Sequence, residues 1–149
     1  MSRVAVMHGV NLDMLGNRDP EHYGDLTLAE LERRIAAFAA ELDLRPSFFH
    51  TNHEGEFVER LHALRMDADA AVLNPGAWTH YSWAIRDALE LAEVPAVEVH
   101  LSAVDEREQW RRVSVLEGLV VDVVSGQGVD GYRRALEILA EKLGRGPEA

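Results

Sequence analysis

The 149-residue sequence has no cysteine, a single lysine and no long run of apolar residues. The absence of cysteine excludes disulfide bonds, zinc–thiolate sites and thiol chemistry. No apolar run approaches the roughly 20 residues of a membrane-spanning helix. The apolar start at Val4–Met7 is also too short for the core of a signal peptide. We therefore expect a soluble, cytoplasmic protein with no membrane partner.

Basic residues are also scarce, with 15 against 26 acidic residues and a formal net charge of −11. Such a surface should repel a polyanion, so we expect no nucleic-acid partner. The length suits one domain with a sizeable core. No Ser/Pro-rich linker or repeat divides the chain. We predict one folded domain over residues 1–143 and a disordered tail over residues 144–149.

Five short apolar segments predict buried β-strands, and helical patterns separate them. Apolar segments without polar alternation are typical of strands covered on both faces. Strands that alternate with helices predict the α/β class, with a doubly wound parallel sheet and helices on both faces. For five strands we expect the flavodoxin-like order 2-1-3-4-5. The predicted strands are Arg3–Met7, Arg45–His50, Ala70–Asn74, Ala96–His100 and Leu119–Ser125.

The helical patterns consist of apolar residues three and four positions apart. Thr27 and Glu30 form a T-x-x-E capping box at the start of the first helix. The third helix is predicted from about Thr79, as its cap, to Leu91, with His80 in its first turn. The stripes of the other helices contain Leu28 to Leu42, Phe57 to Leu64, and Tyr132 to Leu143.

Polar residues collect after three of the strands, at the sheet edge where ligands bind in this fold class. The loop from His8 to Leu26 is far longer than the usual 2–6 residues, which indicates a functional lid. Strand periodicity places Glu98 and His100 on the same side. A carboxylate beside an imidazole can fix its tautomer and stabilise its charged form. Each residue alone also has an ordinary packing or surface explanation, and only their joint placement favours a site.

The long loop resembles the N-L-x-x-L-G-x-R-[ED]-P-x-x-Y-G signature of the type II 3-dehydroquinate dehydratases, which it matches from Asn11 to Gly24. Further segments agree in order and spacing, so the resemblance covers nearly the whole chain. One of them, the G-x-G-x-x-G-Y segment at 126–132, would elsewhere suggest nucleotide binding, but here no βαβ unit follows it. The other matching segments lie at 51–55, 73–77, 80, 84–89, 98–102 and 107–114.

The resemblance implies a flavodoxin-like fold and a homo-oligomer, a dodecamer built from trimers. It also implies the anti elimination of water from 3-dehydroquinate to give 3-dehydroshikimate through an enolate. This reaction serves the shikimate pathway or quinate breakdown. The family uses no metal, no cofactor and no Schiff base, so we expect none of these here.

The same resemblance implies catalytic roles for individual residues. Tyr23 corresponds to the base, a tyrosinate that removes the proton beside the ketone, and Arg18 to the cation that favours the phenolate. Asn11 is similar to the residue that donates to the enolate oxygen, directly or through water. His100, oriented by Glu98, resembles the general acid.

The remaining matches concern substrate binding. Asn74, Ser102 and the backbone amides of Leu101 and Ser102 would hold the substrate carboxylate. His80 and Arg111 match contacts to the ring hydroxyls, and Asp87 matches an acid that reaches the site of a neighbouring subunit.

The chain departs from the family pattern at a few positions, and other functions stay open. One alternative is a specialised relative that dehydrates a related cyclitol acid. Another is a non-enzymatic flavodoxin-like binding or receiver module. A receiver needs an acidic cluster near the first strand and an aspartate after the third, where this chain has His8-Gly9 and Asn74. The departures are His8, Val10, Tyr81, Trp83 and Ala103.

Overall fold

Five parallel strands form one sheet in this computed structural model, which describes residues 1–144. Their order is β2-β1-β3-β4-β5, and every neighbouring pair is parallel. The predicted order and the flavodoxin-like α/β class are therefore confirmed. Apart from Gly144, the predicted tail lies outside the described residues. The strands are β1 (Ser2–His8), β2 (Leu44–His50), β3 (Ala70–Asn74), β4 (Ala96–His100) and β5 (Asp122–Ser125).

Helices cover both faces of the sheet, as predicted. They are α1 (Pro20–Tyr23), α2 (Leu28–Glu41), α3 (Glu54–Asp67), α4 (Trp83–Ala92) and α5 (Asp130–Lys142). Side chains that alternate along β1 point to opposite faces. Val4 and Val6 pack into the core under α2 and α5, whereas Ala5 and Met7 pack into the core under α3 and α4. Because alternate side chains enter a core on each face, the strand sequences are continuously apolar.

The predicted start of α2 is confirmed in detail. The Thr27 side chain accepts a hydrogen bond from the Glu30 amide, and the Glu30 carboxylate accepts one from the Thr27 amide. This reciprocal bonding satisfies two amide groups that the first helical turn leaves without partners. It ends the long loop at a defined residue, which anchors the far end of the predicted lid.

The third helix begins later than predicted. Residues Gly76–His80 form a 3-10 turn, and α4 starts at Trp83 with Ser82 as its side-chain cap. The predicted cap, Thr79, instead donates its hydroxyl proton to Glu98. The Ser82 hydroxyl accepts the Ile85 amide proton at 3.1 Å and so takes the capping role that was predicted for Thr79. His80 therefore ends the 3-10 turn and does not lie in an α-helical first turn.

The last strand is shorter than predicted, because it begins at Asp122 and not at Leu119. Leu119 and Val120 donate their amide protons to the Leu116 carbonyl in a turn. Apolar side chains alone could not distinguish this half-buried turn from a strand.

Two loops pass very close together where β1 and β3 end. A Cβ atom on Gly9 would lie 2.3 Å from the Pro75 carbonyl oxygen, and one on Gly76 would lie 2.6 Å from the Val10 carbonyl oxygen. The Gly9 amide also donates to the Asn74 carbonyl at 2.7 Å. This loop crossing brings the ends of the first and third strands into one wall.

None of the helices within residues 1–144 has the length and apolar character that a membrane span requires.

We predict that Gly9→Ala destabilises the protein, because the added methyl meets backbone atoms that cannot rotate away. Overpacking of this kind costs about 1–3 kcal/mol. Gly55→Ala is the matched control, since nothing lies within 4 Å of a Cβ there. In chemical denaturation, Gly9→Ala should lower the free energy of unfolding while Gly55→Ala leaves it unchanged or raises it. Equal stability of the two variants would contradict the proposed close crossing.

Candidate active site

A cleft that is open to solvent lies at the sheet edge where β1, β3 and β4 end. Its walls include most of the predicted site residues, and the two exceptions are Glu98 and Asp87. The predicted residues that line it are Asn11, Arg18, Tyr23, Asn74, His80, His100, Leu101, Ser102 and Arg111. The carboxyl-edge rule of parallel sheets therefore located the cleft from sequence alone.

The Tyr23 hydroxyl lies between two guanidinium groups. Arg18 Nη2 donates to the phenol oxygen at 2.7 Å, and its Cζ lies 3.6 Å from the ring centroid. Arg107 Nη1 donates to the same oxygen at 2.6 Å. Two cationic donors on one phenol oxygen stabilise the phenolate more than the neutral phenol. The arrangement can therefore make Tyr23 a base.

Arg107 was not among the predicted site residues. It is 84 positions from Tyr23 in the chain, and no periodicity links the two. The only available signal was its place in the Arg107-Glu108 segment that matches the family, which marks the position but not its partner. The segment that contains Arg107 folds over the cleft between the 3-10 turns Val104–Glu106 and Gln109–Arg112.

Positive charge is concentrated in this cleft although the chain is acidic overall. The pKa of Arg18 is lowered chiefly by partial burial, against the opposing effect of Tyr23, and also by the nearby charges of Arg111 and Arg107. Arginine keeps its proton in proteins, so the three side chains form a fixed cluster of positive charge. Such a cluster favours an anionic ligand and an anionic reaction intermediate.

His100 and Glu98 form a buried pair at the end of β4. Glu98 is fully buried, and its Oε2 lies 2.5 Å from His100 Nε2. Because the carboxylate binds Nε2, the ring nitrogen left for the cleft is Nδ1. Burial alone would raise the pKa of Glu98, but its hydrogen bonds and the charge of His100 hold that pKa below its usual value. Glu98 therefore supports His100 from beneath the cleft.

His80 lines the cleft beside His100, with their ring planes 18° apart and centroids 6.3 Å apart. Its Nδ1 lies 2.6 Å from the Val113 carbonyl oxygen, which can only accept a hydrogen bond. Nδ1 therefore carries a proton. Partial burial, followed by smaller effects of His100 and Arg111, lowers the pKa of His80 against the bond to Val113. The result is a neutral imidazole that can bind a hydroxyl group through Nε2.

Asn74, Leu101 and Ser102 are held in place by the segment after β5. Asn74 Oδ1 accepts the Gly76 amide at 3.2 Å, and Nδ2 donates to the buried Tyr132 hydroxyl at 3.0 Å. The amide protons of Gly126 and Gly128 are donated to the carbonyls of Ser102 and Leu101. The G-x-G-x-x-G segment thus positions the wall of the cleft and has a structural role in this fold.

Asp87 is the predicted site residue that the single chain does not bring to the cleft. It is exposed on α4, beside Trp83, Ala84 and Glu90. Its predicted role requires a second subunit, and its position outside its own cleft is compatible with that role.

The positions that depart from the family pattern lie in different surroundings. Val10 lines the cleft, and Ala103 packs against the backbone at Gly126. Tyr81 and Trp83 are 58% and 66% exposed. His8 is fully buried, with Nε2 3.2 Å from Glu32 and its ring stacked on Phe48. Only Val10 therefore faces the cleft directly.

Comparison with known proteins adds an independent line of evidence. The family model described as dehydroquinase class II matches residues 2–140. The chain is 46% identical over 149 residues to a 3-dehydroquinate dehydratase of Pelobacter propionicus, covering 99% of this chain and 100% of that one. It is 50% identical over 137 residues to the 3-dehydroquinate dehydratase of Syntrophotalea carbinolica, covering 91% and 93%.

A solved structure agrees with these relatives. The type II dehydroquinase from Propionibacterium acnes superposes with a TM-score of 0.90 at 36% identity, covering 95% of this chain and 97% of that chain. Family model, relatives and fold all confirm the resemblance that the loop signature indicated. This chain belongs to the class II dehydroquinase family.

Proposed function

We infer that this chain is a hydro-lyase that removes water from 3-dehydroquinate to give 3-dehydroshikimate. The observation that carries the inference is the pairing, in one cleft, of a phenol between two guanidinium groups with a carboxylate-supported imidazole. An elimination of this kind needs one group that removes a proton from carbon and another that protonates the departing hydroxyl. The names of the relatives agree with this reaction.

We propose Tyr23 as the base. A free tyrosine has a pKa of about 10, so its phenolate is scarce near neutral pH. Arg18 and Arg107 favour that phenolate through two hydrogen bonds and two positive charges. The same positive charges attract the anionic substrate and stabilise the enolate that forms. Arg107 thus shares the role that the family resemblance had suggested for Arg18 alone.

The other roles follow from the cleft walls. His100 protonates the departing hydroxyl from Nδ1, with Glu98 bound to Nε2. Asn11, which lines the cleft, would stabilise the enolate, and Asn74, Leu101 and Ser102 would bind the substrate carboxylate. His80 and Arg111 would contact the ring hydroxyls. An assay for enone formation from 3-dehydroquinate tests the whole proposal, and an inactive purified protein would overturn it.

We predict that Tyr23→Phe abolishes proton abstraction while substrate binding is largely retained. A well-placed acid or base contributes about 10²–10⁴-fold, and loss of the only base should reach the upper end of that range. Turnover and ligand binding should be measured on the same preparation. Near-normal turnover of Tyr23→Phe would remove Tyr23 from the mechanism.

We predict that Arg18→Ala and Arg107→Ala each slow proton abstraction more than they weaken substrate binding. Each change removes a hydrogen bond and a positive charge from the Tyr23 hydroxyl, and turnover and ligand binding are measured on the same preparation. Arg18→Lys should lie between, because it retains the charge but not the planar fork. Arg65→Ala is the matched control, since Arg65 is exposed and pairs with Glu93. Weaker binding with an unchanged rate of proton abstraction would mean that the arginines only anchor substrate.

We predict that the activity is indifferent to metal chelators and to borohydride. Three arginines line the cleft and would repel a metal cation, and the single lysine, Lys142, is exposed on α5. Asp19, Glu21 and His22 on and before α1 do have ligand atoms within 4.8 Å of one another, although two of the three are exposed. Chelator treatment therefore tests them too. Inhibition by chelator, or a reduced adduct on Lys142, would contradict this mechanism.

We propose that the active form is a homo-oligomer larger than a trimer, a dodecamer by family resemblance, in which Asp87 reaches a neighbour's cleft. Asp87 lies exposed on α4, outside its own cleft. Mixed oligomers of Tyr23→Phe and Asp87→Ala should therefore regain activity, because some sites receive both intact residues. Mixtures of Tyr23→Phe and His100→Gln should not, since both residues belong to one chain's cleft. A single-chain mass in light scattering would contradict the proposal.

A further inference from the structure

Two hydroxyl groups bind the buried Glu98 carboxylate and have no role in the steps described so far. Thr79 Oγ1 donates to Oε2 at 2.5 Å, and Ser114 Oγ donates to Oε1 at 2.7 Å. Thr79 lies in the 3-10 turn after β3, and Ser114 lies between β4 and β5. The two hydroxyls thus reach different oxygens of one carboxylate from different segments of the chain, and His100 adds a third donor.

A carboxylate in this position would ordinarily take up a proton. Transfer into a low-dielectric interior disfavours the charged form, whereas hydrogen bonds donated to that form favour it. For Glu98, burial raises the pKa, and the bonds from His100, Thr79 and Ser114 together with the His100 charge outweigh it. The two hydroxyls therefore help to keep a fully buried carboxyl group ionised.

The geometry points to Thr79 and Ser114 as positioning residues for the general acid: they keep Glu98 ionised, so that His100 donates its proton as an imidazolium. This inference rests on the proposed role of His100. An imidazolium holds one proton on Nε2, bonded to Glu98, and one on Nδ1, facing the substrate. Without the hydroxyl donors, the Nε2 proton would pass to Glu98 and leave a neutral imidazole, which is a far weaker acid.

The proton balance shows which chemical step the loss of the two hydroxyls should slow. The Tyr23 phenolate removes the proton beside the ketone, and the electron pair of that C–H bond becomes the enolate. The enolate pair then forms the carbon–carbon double bond as the C–O bond breaks, and the departing oxygen takes the Nδ1 proton of His100 to leave as water. Loss of the hydroxyl donors should therefore slow the second step and spare the first.

A purely structural role for the two hydroxyls makes a different prediction. Ser114 also accepts the Leu116 amide at 3.1 Å, and the Thr79 carbonyl accepts the Val115 amide at 2.8 Å, so both residues also order the local backbone. If this ordering were their only function, loss of the hydroxyls would lower the rates of both chemical steps together. The ratio of the two rates therefore distinguishes a positioning role from a structural one, whereas total activity does not.

The experiment measures both steps in D₂O with 3-dehydroquinate as substrate. Product formation reports elimination, and deuterium at the α-carbon of recovered substrate, followed by NMR, reports enolate formation and return. Thr79→Val keeps the side-chain shape and removes the hydroxyl, and Thr79→Ser keeps the hydroxyl. Ser114→Ala and Ser114→Thr form the corresponding pair at the second position.

We expect the double variant Thr79→Val with Ser114→Ala to lower kcat by about 10- to 100-fold, at or below the range for loss of a whole acid. Deuterium exchange should fall much less, so the ratio of exchange to elimination should rise about 10-fold or more. Thr79→Ser should retain the wild-type ratio. A parallel fall in exchange and elimination, or a Thr79→Ser variant no better than Thr79→Val, would overturn the positioning role.

A fallback variant and a wild-type control complete the test of the positioning role. If thermal unfolding shows that the double variant does not fold, Ser114→Ala alone is judged by the same ratio, because Ser114 is only half-buried and Thr79 still binds Glu98. Wild-type protein that forms no enone would overturn the proposed function itself. Active wild-type protein with an unchanged ratio in the hydroxyl variants would overturn only the role of Thr79 and Ser114.

Discussion

The close crossing of two loops at the ends of β1 and β3 is the constraint on which the site depends. These strands are neighbours in the sheet but not in the chain, so the sheet reverses its winding between them. Gly9 lies against Pro75, and Gly76 lies against Val10, at distances that leave no room for a side chain. The two loops therefore leave this point in fixed directions, and the cleft lies between them, closed on its far side by the end of β4.

The charges in this molecule are separated by location. The chain is strongly acidic as a whole, yet three arginines and two histidines line the cleft. An anionic substrate is repelled by most of the surface and attracted at this one edge, where partial burial reduces screening by salt. Glu98 is the exception within the site. Its negative charge lies beneath the cleft floor, satisfied by three donors, and acts on His100 without facing the substrate.

In the proposed mechanism, the base and the acid need opposite electrostatic environments within one cleft. Tyr23 would react as an anion, so it needs surrounding positive charge. His100 would react as a cation, so it needs a nearby negative charge. Placing the arginines on the loops and the carboxylate within the strand keeps the two environments apart. The proposed acid therefore lies on the sheet, and the proposed base lies on the loop between β1 and α2.

Much of this protein could be predicted from its sequence. Apolar runs and helical stripes determined the strand number, the sheet order and the start of α2, since periodicity and capping are local properties. Nine of the eleven site residues predicted from the carboxyl-edge rule and the family resemblance line the cleft. Only the tertiary structure decided the rest, because contacts between distant segments leave no local pattern. It paired Arg107 with Tyr23 across 84 positions. It also placed the Thr79 hydroxyl against a buried carboxylate and not at a helix start, because an ionised group shielded from water needs hydrogen-bond donors.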